Sequence, residues 1–532
     1  MATAATDDQH SAGDAREIRL VIGASSLGTI FEWYDFFIYG TLAASGIIGR
    51  TFFPAGNEIV QTLLAWAGFA VGFGFRPLGA VLFGYLGDRL GRKYTFLVTI
   101  TLMGVATAGV GFVPSAASIG LAAPAIILIL RILQGLALGG EYGGAAIYVA
   151  EHAPPGRAGF YTSFIQASVA GGFILSLIVV LLAKASMPDA VWQEWGWRAP
   201  FIFSIALLAV SLWMRLKLSE SPVFKAMKES GETARNPFVE SFTYPGNLSR
   251  LFVALFGIAA GLTVIWYTSM FSVLAFLQGP LRVEETAAQV LVGIGAAAGL
   301  GWFVLFGWLS DRVGRKLPIV IGYALTLVML FPLFWVIGGA ANPDLARAAR
   351  QAPVVVSGPD CHYSPFRQMQ ADECGKLLDF LSKKGVTYAT ARAPVTVVTI
   401  GDDTLGDPTP AALEAALVAR GYNLGKVVPS LGNSAIILFC IILLTALAGM
   451  TYGSVAALLC ELFPPRIRYS SMSIPYHIGT GYFGGFLPFI SQYIVARSGD
   501  PYGGLWYTFA VVAMALVVTV AMLPDDQRRR RG

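Results

Sequence analysis

Twelve apolar runs, each about as long as a lipid bilayer is thick, dominate this chain. They fall at residues 20–48, 62–86, 95–113, 121–150, 160–183 and 199–214, then at 251–278, 288–309, 317–340, 434–460, 472–495 and 504–523. A spanning helix needs about 20 predominantly apolar residues, and in hydrocarbon only helices and closed barrels satisfy their own backbone. Of the 532 residues 55% are hydrophobic and 13% charged, whereas soluble domains carry about 25% charged residues. These proportions exclude a cytosolic enzyme, a disordered scaffold and a disulfide-dense secreted domain. Residues 1–17 are polar and lack the apolar core of a signal peptide.

Internal repetition organises the runs. GYLGDRLGRK (Gly84–Lys93) returns as GWLSDRVGRK (Gly307–Lys316), offset by 223 residues. YGGAAIYVAEHAPP (Tyr142–Pro155) returns as YGSVAALLCELFPP (Tyr452–Pro465), now offset by 310, so an insertion of 87 residues separates helices 9 and 10. The expected fold is an all-α membrane protein of twelve transmembrane helices in two parallel six-helix repeats, an arrangement known for transporters. The domain plan is a tail at 1–19, a six-helix bundle at 20–216, a linker at 217–250, helices 7–9 at 251–340, an insertion at 341–430, helices 10–12 at 431–523 and a basic tail at 524–532.

Lys and Arg placement sets the expected orientation. With the amino terminus inside, loops and tails on that side hold 21 basic residues, and the short outer loops hold 5 (Arg50, Lys184, Arg198, Arg282, Arg497). The positive-inside rule then places both termini in the cytoplasm. The Arg528–Arg531 run reads as an anionic-lipid contact, and nucleic acid is not an expected partner. The insertion faces outward as a small cap, with a helix-like stretch near 371–384 and a β-rich one at Val395–Gly401. Its Cys361 and Cys374 can form a disulfide on the oxidising side or remain two free thiols. Cys440 and Cys460 read as packing residues.

Acids within a span are costly and ask for a reason. Glu32 and Asp35 lie in IFEWYDFFIYG, roughly 20 Å along helix 1, three residues apart and so on one face. The matching second-half segment, VIWYTSMF, aligns Trp266–Tyr267 with Trp33–Tyr34 but has Ile265 and Thr268 at the acidic positions. Asp35, with Glu32, is the proton-coupling candidate, because a carboxylate held out of water suits proton exchange near neutral pH. The alternative is an interhelical ion pair or cap with Arg131 or Arg76.

Helix 4, LRILQGLALGGEYGGA, places Arg131, Gln134 and Glu141 on one stripe. Arg131, about 15 Å deep, either clamps a substrate carboxylate or pairs with Asp35; Glu141 is a gate candidate or a structural residue. Arg76 before Pro77 lines a cavity or snorkels past a kink. His477 is the histidine within a span, able to meet substrate or proton or to sit neutral in the core. Gln166, Tyr267 and Tyr476 complete the substrate-binding candidates. Asp88, Arg89, Arg92 and their repeats Asp311, Arg312, Arg315 are expected to clamp helix ends and bias the access state. No metal-spaced cluster or nucleophile–base pair is apparent, so an enzyme and a metal site are not expected; the proton is the coupling ion and no other cofactor is foreseen.

GYLGDRLGRK resembles the signature loop of the major facilitator superfamily. Together with FEWYDFFIYG, RPLGAVLFGYLGDRLGRK, RILQGLALGGEYGGA and AEHAPPGRAG it resembles the metabolite:proton symporter family, whose members carry α-ketoglutarate, citrate, shikimate, and proline or glycine betaine. The resemblance spans nearly the whole chain except the insertion, which is atypical of that family. It implies import across a bacterial inner membrane coupled to proton entry, with coupling at Asp35 and clamping at Asp88 and Arg89. The coiled-coil tail of the osmosensing branch does not follow helix 12, so a small organic acid, carried by a monomer, is the expected substrate. A zwitterion symporter, an exporter and a nutrient sensor are the alternatives, though helix 5 (QASVAGGFILSL) lacks an exporter's Gly-Pro signature.

Overall fold

The computed structural model describes residues 2–524 except 54, 55, 91, 141, 217–236, 368 and 407; side chains are further left aside at 2–21, 24, 84, 85, 87–90, 92, 93, 96, 142–145, 148, 215 and 466. The first bundle comprises α1 (Ala2–Ala44), α2 (Glu58–Gly74, continuing as Arg76–Leu90), α3 (Arg92–Phe112), α4 (Ala122–Gly139, then Tyr142–His152), α5 (Ala158–Ala185) and α6 (Ala199–Leu216). The second comprises α7 (Asn247–Gln278), α8 (Glu285–Val313), α9 (Lys316–Ala341), α10 (Leu431–Tyr452, then Val455–Leu462), α11 (Arg468–Ile478, continuing through Gly479–Gly485 to Leu487–Ser498) and α12 (Leu505–Met522). Among the described residues, nine helices are long and apolar enough to cross a membrane by composition alone. Helix α3 contributes only the shorter apolar stretch Leu97–Phe112 to that test. Helix α1 begins at Ala2, earlier than its apolar run.

Apolar runs dictate helices, but not where they are interrupted. Helix α7 carries two π-helical segments, Val253–Ala259 and Thr268–Ser272, and α11 carries a third at Gly479–Gly485. Such segments insert a residue into the ladder and recur at functional sites. The three lie in helices that face the first bundle. In α11 the run GTGYFGG supplies glycines whose low helix propensity favours the irregularity.

Between lipid-facing helices there is no hydrophobic drive, so packing depends on small residues. A methyl group at Gly135 of α4 would overlap the Gly72 carbonyl oxygen of α2. Helices α1 and α5 also pack closely: a Cβ on Gly172 would stand 2.9 Å from the Ile30 carbonyl oxygen and from the Tyr34 backbone nitrogen.

Residues 342–430 form a small α/β cap on the bundle end opposite the DRxGRK loops. Four strands, β1 (Val354–Gly358), β2 (Tyr388–Arg392), β3 (Val397–Ile400) and β4 (Asp403–Leu405), lie in the order β2-β1-β3-β4. β1 and β2 are parallel, joined through the helix Glu373–Lys383, and the other pairs are antiparallel. Flanking helices span Pro343–Gln351 and Pro410–Ala419. Leu345, Val356, Leu378, Leu381, Val398 and Leu413 form a core separate from that of the bundles. Cys361 and Cys374 are joined as a disulfide, Cα–Cα 5.3 Å, stapling the β1 exit to its helix. The helix expected near 371–384 and the strand expected within 395–401 are present; the other strands and helices went unread because each is short.

Substituting Gly135→Val is expected to cost about 3 kcal/mol, the upper range for overpacking, by forcing α2 and α4 apart. A thermal melt of the purified protein that matches the parent would refute this packing.

Candidate functional site

The two bundles meet around buried charges and aromatic rings. On the first bundle, Glu32 and Asp35 of α1, Arg76 of α2, and Arg131 and Gln134 of α4 are all buried. Arg131 donates to Gln134 Oε1 at 2.6 Å, and Gln134 in turn donates to Thr107 Oγ1 at 2.6 Å. The guanidinium lies 4.2 Å from the Phe36 ring centroid and 4.5 Å from that of Tyr39, a geometry in which the ring faces attract the cation. Residue 72 must be small here, since a Cβ on Gly72 would stand 3.0 Å from Arg131 Nη2.

Arg131 and Asp35 do not pair. Arg131 Nε and Nη2 find no acceptor, and Asp35 Oδ1 finds no donor, among the described residues. What α4 and α3 contact at this level is the α1 backbone: Gln134 of α4 and Thr107 of α3 donate to the Asp35 carbonyl oxygen at 3.5 and 3.3 Å. The expected alternative of an Asp35 ion pair with Arg131 or Arg76 is therefore absent in this state. Nor does Arg76 snorkel; it is fully buried, 5.1 Å from the Trp33 ring centroid and 5.2 Å from that of Phe73.

Between the bundles lies a narrow cavity of ≈ 10 Å³, room for about one water, lined by Trp33 from the first and Thr263, Trp266, Tyr267, Tyr452, Tyr476 from the second. The Tyr452 and Tyr476 hydroxyls share a hydrogen bond of 2.6 Å. His477 is buried behind this wall with its ring edge-on to Tyr476, 5.6 Å away, and Gln166 is buried on α5 one turn from the lining residue Val169. Thus Tyr267 and Tyr476 reach the cavity itself. Trp33, Trp266 and Tyr452 went unchosen from sequence, although each repeats between the halves: Trp33 with Trp266, Tyr142 with Tyr452.

The cavity is closed toward both ends. Toward the cap, Phe37 of α1 stacks on Trp266 at 5.2 Å, Phe73 of α2 meets Tyr267 at 5.4 Å, and Phe69 meets Phe271 at 5.3 Å. Beyond them, Lys184 of α5 pairs with Glu285 of α8 at 3.3 Å. At the other end, Asp311 of α8 accepts from the Gly159 and Phe160 amides at 2.8 Å each. Those are amides that the first turn of α5 leaves without an intrahelical partner, where a carboxylate also meets the helix dipole. Arg315 holds Asp311 at 2.6 Å and reaches Glu461 at 2.9 Å, and Arg468 pairs with Glu151 at 3.1 Å. Arg312 stands outside this clamp, exposed over the Trp308 ring. The side chains of Asp88, Arg89 and Arg92, and Glu141 as a whole, lie outside the described residues.

The cap joins both bundles. Asn57 at the start of α2 donates to Asp379 of the cap at 2.7 Å, while Arg282 after α7 donates to the Lys383 carbonyl at 2.9 Å. Burial, and then the Asp379 carboxylate whose oxygen its hydroxyl donates to at 3.0 Å, push the Tyr363 phenol well above its ordinary range.

The family model described as Major Facilitator Superfamily matches residues 25–348, which is most of the chain before the cap sheet begins. The chain belongs to the Major Facilitator Superfamily. It is 36% identical to the shikimate transporter of Escherichia coli over 62% of this chain and 74% of that one. It is 34% identical to the alpha-ketoglutarate permease of the same organism, over 65% and 78% of the two chains. The inner membrane metabolite transport protein YhjE of Escherichia coli is 29% identical across 96% and 95%. The partially occluded, inward-open xylose transporter XylE of Escherichia coli superposes with a TM-score of 0.60 over 96% of this chain and 98% of its own, at 16% identity. Relatives and fold are those of multi-pass membrane transporters of this superfamily, not of enzymes.

Replacing Asp311 by Asn removes the charge that α5 receives. Charge-assisted hydrogen bonds contribute about 2 kcal/mol, so the closed clamp should lose roughly 30-fold in population. A Ser163→Cys probe, buried on α5 beside this contact, is then expected to react faster with a thiol reagent from the DRxGRK side; an unchanged rate would remove Asp311 from the clamp.

Proposed function

We propose that this transporter imports a small organic acid together with a proton across the bacterial inner membrane, by alternating access, with both termini cytoplasmic and the cap outside. One observation carries the reading: Arg131 and Asp35 are both buried, close along the α1–α4 contact, and unpaired with each other. A buried guanidinium with two open donors calls for an anion, and the planar fork suits a carboxylate. A buried carboxylate lacking a cation calls for a proton. Together they favour co-binding of a carboxylate and a proton, with net charge in the low-dielectric interior kept small.

Closure at both ends supports alternating access, because the aromatic layer and the Asp311 clamp can open one at a time. The 21-to-5 distribution of basic residues supports the orientation. The aromatic wall of Trp33, Trp266, Tyr267, Tyr452 and Tyr476 favours one second reading, a zwitterion whose alkylated ammonium rests on ring faces.

Purified protein in liposomes, offered labelled mono-, di- and tricarboxylates, proline and betaine, is expected to accumulate one carboxylate only under an inward proton gradient. Asp35→Asn should abolish that accumulation while exchange of labelled for unlabelled solute continues. Arg131→Lys should lower uptake about 100-fold, since lysine lacks the bidentate fork. Accumulation of betaine or proline alone would transfer the assignment to the zwitterion reading, and gradient-independent uptake in the parent would end the proton assignment.

A further inference from the structure

Under the cap, between the ends of the two bundles, is a chamber of ≈ 280 Å³ that is partly open to solvent. Its walls come from three sources. The first bundle gives Glu58, Thr62 and Trp66, the second gives Gln278 and Arg282, and the cap gives Lys383. Its floor is the aromatic layer that closes the central cavity, since Trp66 packs edge-on against Phe271 at 6.1 Å. Trp66 thus joins the chamber to that layer.

Arg282 is the group in the chamber that the fold does not explain. Its guanidinium is half-buried and tied to a neutral group, the Lys383 carbonyl, while its Nε has no acceptor. No carboxylate pairs with it among the described residues, whereas the neighbouring Lys383 is held by Asp379 at 2.7 Å. The backbone of Arg282 has φ = 58°, the one non-glycine residue in the left-handed region among those described. That conformation is costly for a side-chain-bearing residue and cheap for glycine, and strain of this kind concentrates at functional sites. A glycine would fit the turn better; an arginine stands there instead, with its charge unanswered.

We propose that the chamber is a vestibular binding site for a small carboxylate, with Arg282 as its anchor and the cap as its outer wall. The site holds the solute above the aromatic layer before the bundles part to admit it. The inference rests on the carboxylate reading of the substrate, and it adds a second, outer site to the one at Arg131.

The test has a readout independent of transport. In the full-length protein in liposomes, Thr62→Cys places a thiol in the chamber; Cys440 and Cys460 are buried and Cys361 and Cys374 are bonded. A negatively charged methanethiosulfonate is expected to label it about tenfold faster than a positively charged one, relative to their rates on a model thiol, because a lined cleft concentrates the opposite charge. Arg282→Gly in the same background should erase that preference, yet melt no lower than the parent since glycine relieves the strained φ. Arg282→Lys should keep it, which separates charge from local structure. In transport, Arg282→Gly should raise the KM for solute offered from the cap side about tenfold and leave the KM from the opposite side unchanged. A thiol without anion preference, or one whose preference survives Arg282→Gly, overturns the site. If the preference holds while no carboxylate is transported, the substrate reading has failed and the anion site stands.

Discussion

A charge removed from water must be answered by an opposite charge, by hydrogen bonds or by a proton, and at the centre of this protein two buried charges, Asp35 and Arg131, are answered only in part. The buried acids and guanidiniums at mid-bundle, Glu32, Asp35, Arg76 and Arg131, all belong to the first six helices among the described residues. The second bundle faces them with rings and hydroxyls: Trp266, Tyr267, Tyr452 and Tyr476. The halves share a fold by repetition and divide the chemistry. One supplies charge, and the other supplies a wall that a small solute can touch and leave.

Partial compensation is tolerable because access is controlled at both ends by different kinds of contact. Toward the cap the closure is a layer of packed rings, held by non-directional contact. Toward the DRxGRK loops it is a directed contact, the Asp311 carboxylate set on the amide groups that begin α5. The π segment of α11 reaches the cavity at Thr480, and the two of α7 flank the stretch that carries Thr263, Trp266 and Tyr267, so the hydrogen-bond ladder is irregular around the cavity wall. The cap adds a third element, attached covalently to the second bundle and to the first through such contacts as Asn57–Asp379.

Much of this was legible in the chain. The spans, the repeat, the place of the insertion, and the burial of Asp35, Glu32, Arg131 and Arg76 follow from hydropathy and from the cost of charge in lipid. Other parts were not legible. Strands of three to five residues such as Asp403–Leu405 and Val354–Gly358 carry too little periodicity to stand out between turn residues. The cavity wall was missed at Trp33, Trp266 and Tyr452 because an aromatic residue in a span reads equally as lipid-facing, interfacial or core. Arg312 repeats Arg89 in sequence, yet lies over Trp308 rather than in the clamp beside Arg315.

The sequence by itself determined the helices, their division into two related halves, and which side chains must be withdrawn from water, because each depends on local composition and on the solvent the segment meets. Only the tertiary structure decided which withdrawn groups meet. Arg131 reaches Gln134 and the Phe36 and Tyr39 rings but not Asp35, and Asp311 reaches α5 across the two bundles. Partnership between distant segments is set by helix rotation and crossing, and those follow from how small residues such as Gly72, Gly135 and Gly172 let backbones approach, a property of the packed pair and not of either strand of sequence.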